Sequence, residues 1–239
     1  MKNEEIDDVL KKVARTPQDL DLRLLERIDE SIKPSLRPVR PLPPVWRMAV
    51  GLVLVCSAVS LAGAARSGFF GAAKMNLLER SIVFPALGLL ASVAAVSFVH
   101  QMLPASRLRL SPGVLLALSS VALLAAFAGL FRDYHTDHFF SAGIACLLIG
   151  LLHAIPAGLL SWLMLRRGFA VNPASAGLVA GTLGGLAGVG MLELHCPNFQ
   201  AAHILVWHIA VVPVSAALGA MLGWELHLRT RFRARSDER

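Results

Sequence analysis

Six apolar runs occupy nearly everything after Trp46, each about the 20 residues that a helix rising 1.5 Å per residue needs to cross a ~30 Å hydrocarbon core. They are Trp46 to Ala65, Ser81 to Leu103, Pro112 to Phe131, Phe139 to Leu165, Pro173 to Leu194 and Ile204 to Leu226. In lipid a backbone N–H or C=O finds no water and must pair within its own segment. The expected fold class is therefore all-α: a polytopic membrane protein with six transmembrane helices. Composition agrees, with 55% hydrophobic residues, 16% charged residues and a mean hydropathy of +0.61. The first run starts too far in, and lacks an A-x-A-type cleavage site after it, for a signal peptide, so the first span is expected to stay attached.

A formal charge of +7 invites a nucleic-acid reading, but the placement of the charges argues against it. From Met1 to Lys33 seven Lys and Arg stand against nine Asp and Glu, a net of −2. Basic residues gather beside the apolar runs instead: Arg37, Arg40 and Arg47, then Arg107 and Arg109, then Arg166 and Arg167, then Arg229, Arg231, Arg233 and Arg235. These are alternate connections and share one side, which the positive-inside rule makes the cytoplasm. The segment Arg132 to His138 carries one Arg against two Asp, and His195 to His203 has no formal charge. The loop from Arg66 to Arg80 dissents, holding Arg66, Lys74 and Arg80 against Glu79. Both ends of the chain are expected inside, with no direct nucleic-acid contact.

Four parts follow: an amphipathic helical segment over 1–33, a Pro-rich tether over 34–45, a six-helix membrane domain over 46–226 and a basic tail over 227–239. In the head, Asn3 caps a helix whose apolar positions Ile6, Val9, Leu10 and Val13 follow helical spacing. Glu4, Glu5, Asp7 and Asp8 lie near the positive end of its dipole. Thr16 and Pro17 start a second helix, with a stripe through Leu20, Leu24 or Leu25, Ile28 and Ile32. So short a segment cannot bury enough surface alone, and its stripe needs a partner. That partner is either the chain's own membrane surface or another protein. An acidic face suits a basic protein better than an anionic leaflet. Prolines at 34, 38, 41, 43 and 44 make the tether an extended, semi-rigid spacer.

Three cysteines are separated by this topology. Cys56 falls mid-span and reads as a small buried hydrophobe. Cys146 and Cys196 fall toward the non-cytoplasmic side, which is oxidising in bacteria. By helical rise Cys146 lies about 10 Å below Cys196, whereas a bridge needs Cα atoms within about 7 Å. The pair closes only where Leu194 to Pro197 dips inward; otherwise the thiols are unpaired and structural. Glu193, His195 and Cys196 crowd a carboxylate, an imidazole and a thiol together, with His203 and His208 flanking the next span. Such groups ligate zinc, copper or cadmium-like ions, although the separations match no strong zinc spacing. Glu193, ionisable near a helix end in lipid, reads either as a functional element or as an anchor. His153 reads as an interhelical hydrogen bonder, and the segment Asp133 to His138 as a solvated connection. Gly177, Gly181, Gly184, Gly185 and Gly188 make overlapping small-xxx-small patterns, so the fifth span is expected at the packed centre, with Gly219 and Gly223 repeating the device in the sixth.

The order of these elements in the C-terminal half resembles the NrsF family of six-span bacterial inner-membrane anti-sigma factors. The resemblance is carried by Cys146 with Pro156 downstream; Leu165, Arg166, Arg167 and Gly168 leading to Asn172 and Pro173; the glycine-rich span; Leu194, His195 and Cys196; and Val206, Trp207 and His208. It covers about 144–223. Several members of that family continue Cys-x-Glu-Asp-Ser where this chain reads Pro197, Asn198, Phe199, Gln200. The resemblance implies that the cytoplasmic head sequesters an extracytoplasmic-function sigma factor and that two outer cysteines, by position Cys146 and Cys196, help to receive a stress signal.

The expectation is thus a membrane anti-sigma factor without catalysis or cofactor. Ile6, Val9, Leu10, Val13, Leu24 and Ile28 hold the sigma factor, and Cys146, Cys196, His195 and Glu193 sense an oxidant or soft metal. A small metal-ion transporter using His153, Glu193 and His208 is the alternative; no inverted repeat or paired broken helices support it. No Ser-Lys, paired intramembrane Asp or H-E-x-x-H arrangement points to an enzyme.

Overall fold

The structure is a computed structural model that describes residues 22–33, 43–103, 110–167 and 172–237, with side chains except at 22, 24, 25, 166, 167 and 226–237. The chain divides into two units, Met1–Leu42 and Pro43–Arg239. In the first, α1 spans Leu22–Ile32 and is amphipathic, with Ile28 exposed. Lys33 and Asp29 form an exposed i,i+4 ion pair at 2.6 Å on this helix. Of the expected partner-binding stripe, Ile6, Val9, Leu10 and Val13 lie outside the described residues, as does most of the tether, and Leu24 is placed on α1 by its backbone alone.

The second unit runs α2 (Val45–Ser67), α3 (Phe70–Lys74), α4 (Leu77–Met102), α5 (Pro112–Leu130), α6 (Phe139–Arg167) and α7 (Pro173–His195). A last continuous helix, α8, joins Ala201–His203, a π-helical turn Ile204–His208 and Ile209–Asp237. Among the described residues six helices are long and apolar enough to cross a membrane, and none forms a strand. The expected runs are all present with shifted ends. α4 begins four residues before Ser81 because Asn76 and Glu79 make a capping box: the Asn76 side chain accepts from the Glu79 N–H at 2.9 Å and the Glu79 carboxylate from the Asn76 N–H at 2.8 Å. Ser111 before Pro112 and Asn172 before Pro173 start α5 and α7 in the same way, a side-chain cap followed by a proline whose missing N–H costs nothing at the first helical position.

α7 is the centre. Of its most apolar stretch 83% is buried, against 22–44% for the other five spans. Glycine decides this, because without a Cβ two backbones approach to contact. On one face, a Cβ at Gly177 would strike the Gly219 carbonyl, one at Gly181 the Ser215 carbonyl, and one at Gly185 would stand 2.7 Å from Val212 Cα, all on α8. On the next face, Gly184 and Gly188 press on the carbonyls of Ala154 and Gly150 in α6. A third face meets α2, where the Ser60 hydroxyl donates to the Ala187 carbonyl at 2.7 Å. The outer surface carries Leu118, Val121 and Leu124 on α5, Leu148, Leu152, Ile155 and Leu159 on α6, and Leu218 and Leu222 on α8, all exposed. An apolar surface that wide fits lipid and not water.

Candidate functional site

At one end of the bundle the connections after α2, α5 and α7 knit together. Gly68 ends α2 with φ 103, a left-handed conformation that favours glycine, and its carbonyl accepts a hydrogen bond from His195 Nδ1 at 3.0 Å. α3 then lies across the end of α7: a Cβ on Gly71 would sit 2.5 Å from the Glu193 carbonyl and 2.8 Å from that of Cys196. Lys74 donates to the Pro197 carbonyl at 3.1 Å. From the other side Asp133 pairs with Gln200 in an isolated bridge, its carbonyl taking the Ala201 N–H at 2.5 Å, and Phe131 stacks on Phe199 at 5.4 Å. These contacts cover the end of α7, and Cys196 is buried beneath them.

The two cysteines meet without a dip of the backbone: α7 stays helical to His195, and the Cys196 N–H still bonds the Leu192 carbonyl at 2.7 Å. Cys146 Sγ on α6 and Cys196 Sγ lie 3.5 Å apart, across 50 residues of sequence, as free thiols. Cys196 Sγ also lies 3.6 Å from His203 Nε2. One donor atom each from Cys146, Cys196, His203 and His208 falls within 4.8 Å of all the others. Glu193, fully buried near the end of α7, accepts a hydrogen bond from His208 Nδ1 at 2.7 Å. Glu193 Oε2, His203 Nδ1 and His208 Nε2 are buried without a hydrogen-bond partner among the described residues. Only Cys146 is half-buried; its three neighbours are covered.

The π turn is what brings His203 and His208 together. Five residues along an α-helix project about 140° apart. In a π turn, with its i to i+5 hydrogen bonding, they share a face, and the two rings meet edge to face at 5.2 Å. Trp207, inside that turn, is gripped by α6: its ring lies 5.5 Å from Phe139 and 6.2 Å from Phe140, and its indole covers Gly143, where any Cβ would collide. Gly143 is one helical turn before Cys146, so the same contact sets the histidines against the thiol.

Three of the four expected sensing residues thus converge: Cys146 and Cys196 directly, and Glu193 through His208. His195 does not join them. Its ring faces the other way, bonded to Gly68 and 5.9 Å from Phe70, because successive residues at a helix end diverge by about 100°. His153 also stays apart, donating to the Ile149 carbonyl at 2.8 Å and packing over Gly63. His203 and His208 carried a sequence signal, since their four-residue gap falls in the His-x3–5-His range of zinc ligands, but an α-helical projection hides it. In the exposed connection before α6, Asp133 and His135 pair at 2.5 Å; the contact holds the carboxyl below its ordinary pKa and raises the imidazole above its own.

No curated protein and no solved structure matches this chain significantly. The family model described as NrsF, negative regulator of sigma F, matches residues 34–229, most of the chain, and the chain belongs to that family.

Proposed function

We propose that this protein is a bacterial inner-membrane anti-sigma factor with both termini in the cytoplasm. Its N-terminal segment sequesters an extracytoplasmic-function sigma factor and releases it when an oxidant or soft metal reaches Cys146 and Cys196 on the outer side. Family membership supports a sigma-factor partner, and the alternation of arginines along the chain supports the orientation. The observation that carries the sensing part is the approach of two free thiols to 3.5 Å at the end of the bundle opposite the Arg166–Arg167 connection. A thiol pair at that distance answers either to oxidation or to a thiophilic ion with little rearrangement.

The route to the head runs through α3. This element clasps the backbone on both sides of Cys196 and is joined by Gly68 to α2, the first span after the tether. A shift of Cys196 moves α2 by the same contacts, and the head follows. The protein acts by stoichiometric binding, without catalysis. The test is co-purification of the full-length chain with the sigma factors of its host. One of them should be retained, and lost when Leu10→Asp or Ile28→Asp interrupts the stripe. Cys146→Ser and Cys196→Ser should each flatten induction by oxidants and soft metals while the protein still inserts. Failure to retain any sigma factor overturns the proposal.

A further inference from the structure

We infer that His203 and His208 complete the cysteine pair into a closed, four-coordinate site for one divalent zinc-group ion, zinc or cadmium, with Glu193 as the positioning residue for His208. The inference deepens the reading of Cys146 and Cys196 as signal receivers and rests on it.

Geometry makes the case first. Around a tetrahedral ion with sulfur at about 2.3 Å and imidazole nitrogen at about 2.0–2.1 Å, donor-to-donor edges run from about 3.3 to 3.8 Å. The two measured edges, 3.5 Å between the sulfurs and 3.6 Å from Cys196 to His203, fall inside that range, and no donor pair exceeds 4.8 Å. An S2N2 tetrahedron is the arrangement that zinc-group ions take, with no preference for planarity to oppose it. The second observation is independent of spacing. His208 Nε2 is buried without a hydrogen-bond partner among the described residues, and so is Glu193 Oε2. Buried polar atoms are nearly always satisfied, so orphans grouped around two thiols mark a place for a ligand.

Glu193 explains which histidine nitrogen binds. Its carboxylate takes the Nδ1–H of His208 at 2.7 Å, which fixes the tautomer with Nε2 as the free electron-pair donor and fixes the ring plane. A buried glutamate at a helix end thereby has a task that anchoring in a headgroup layer does not provide. On binding, each thiol releases its proton to water, the hydrated ion sheds its bound waters as two metal–sulfur and two metal–nitrogen bonds form, and the dication offsets the two thiolates that would otherwise be costly here. Because α6, the end of α7 and the π turn of α8 each supply a ligand, the ion ties three helices together.

The experiment uses the full-length protein in detergent, loaded with Cd2+ and, separately, Co2+. One ion per chain is expected, with thiolate-to-cadmium absorption from two sulfurs and the visible bands of tetrahedral cobalt. His203→Ala and His208→Ala should each change the cobalt spectrum and weaken binding. Glu193→Ala should weaken binding about 10–100-fold, while Glu193→Gln, which still accepts from Nδ1, stays near wild type. Thermal melts without metal show that the variants fold. Unchanged affinity and spectra in both histidine variants would reduce the site to two thiolates and overturn the inference, as would equal behaviour of Glu193→Ala and Glu193→Gln. A protein that retains its sigma factor but takes up no ion also refutes it and leaves the anti-sigma reading standing; loss of the sigma factor refutes that reading whatever the metal result.

Discussion

The two ends of α7 make tight contacts for opposite reasons. From Gly177 to Gly188 the helix is joined to α8 and α6 by backbone lying on backbone, with nothing polar to titrate, oxidise or ligate. Just beyond, Glu193 and Cys196 meet His208, His203 and Cys146 through side chains that all carry chemistry. A glycine seam has one good arrangement, since its energy is packing and any displacement opens a gap. A cluster of thiols and imidazoles has several, because protonation, oxidation or an ion each changes which contacts are favourable. One helix therefore combines a fixed seat with a chemically adjustable end.

The sharpest way to break this comparison is to attack the seat. Gly181→Leu should prevent α7 from seating on α8, because a side chain there meets the Ser215 carbonyl and Ala216 Cα. Overpacking of a rigid site costs about 1–3 kcal/mol or more, and the backbone partner leaves no side chain to move. Thermal unfolding in detergent should show the loss, with cysteine substitutions leaving the melting temperature far less affected. Near-equal melting temperatures would mean the seam is not the structural centre.

A smaller effect tests the passage of the signal. Gly71→Val should push α3 off the Glu193 and Cys196 carbonyls without changing any ligating side chain of the cluster. Induction in cells should fall several-fold, with uptake of Cd2+ by the purified protein unchanged. Full induction in this variant would remove α3 from the route.

The smallest effect concerns the connection before α6. His135 is raised and Asp133 lowered by their mutual hydrogen bond, so His135 contributes stability present below its ordinary pKa and lost as pH rises through the raised value. Asp133 contributes stability present above its ordinary pKa and lost as pH falls through the lowered value. The pair is therefore strongest between those two limits. Both groups are fully exposed, so the change belongs to local order and not to global stability. An NMR titration should place His135 above its ordinary pKa, and Asp133→Asn should return it; no change on substitution would show that the contact is not formed in solution.

Much of the bundle was legible before any coordinates. Span number, the central place of the glycine helix and the starts at Pro112 and Pro173 follow from residues local to each element. The start of α4 at Leu77 is local as well: Asn76 with Glu79 is a capping box, set in a segment whose charges at Glu79 and Arg80 otherwise mark it as a connection. The site was legible in part. Cys146, Cys196 and Glu193 stand out by type and depth, but rise counted along each helix from its own end places the thiols too far apart, because how α6 and α7 are offset against one another is set by their packing, which brings the sulfurs to 3.5 Å. His203 and His208 read as flanking residues in the sequence and not as a pair, since nothing local announces a π turn, and the Trp207 within it seats on Gly143, 64 residues away.

What the chain's order of residues determined by itself is that it forms helices of membrane length: twenty apolar residues in a medium without water leave the backbone no other way to pair its polar groups. The tertiary structure alone decided that four residues from three helices point at one spot. Each direction depends on contacts between segments distant in sequence, and a helix carries no record of which of its faces will be turned toward a neighbour until that neighbour is packed against it.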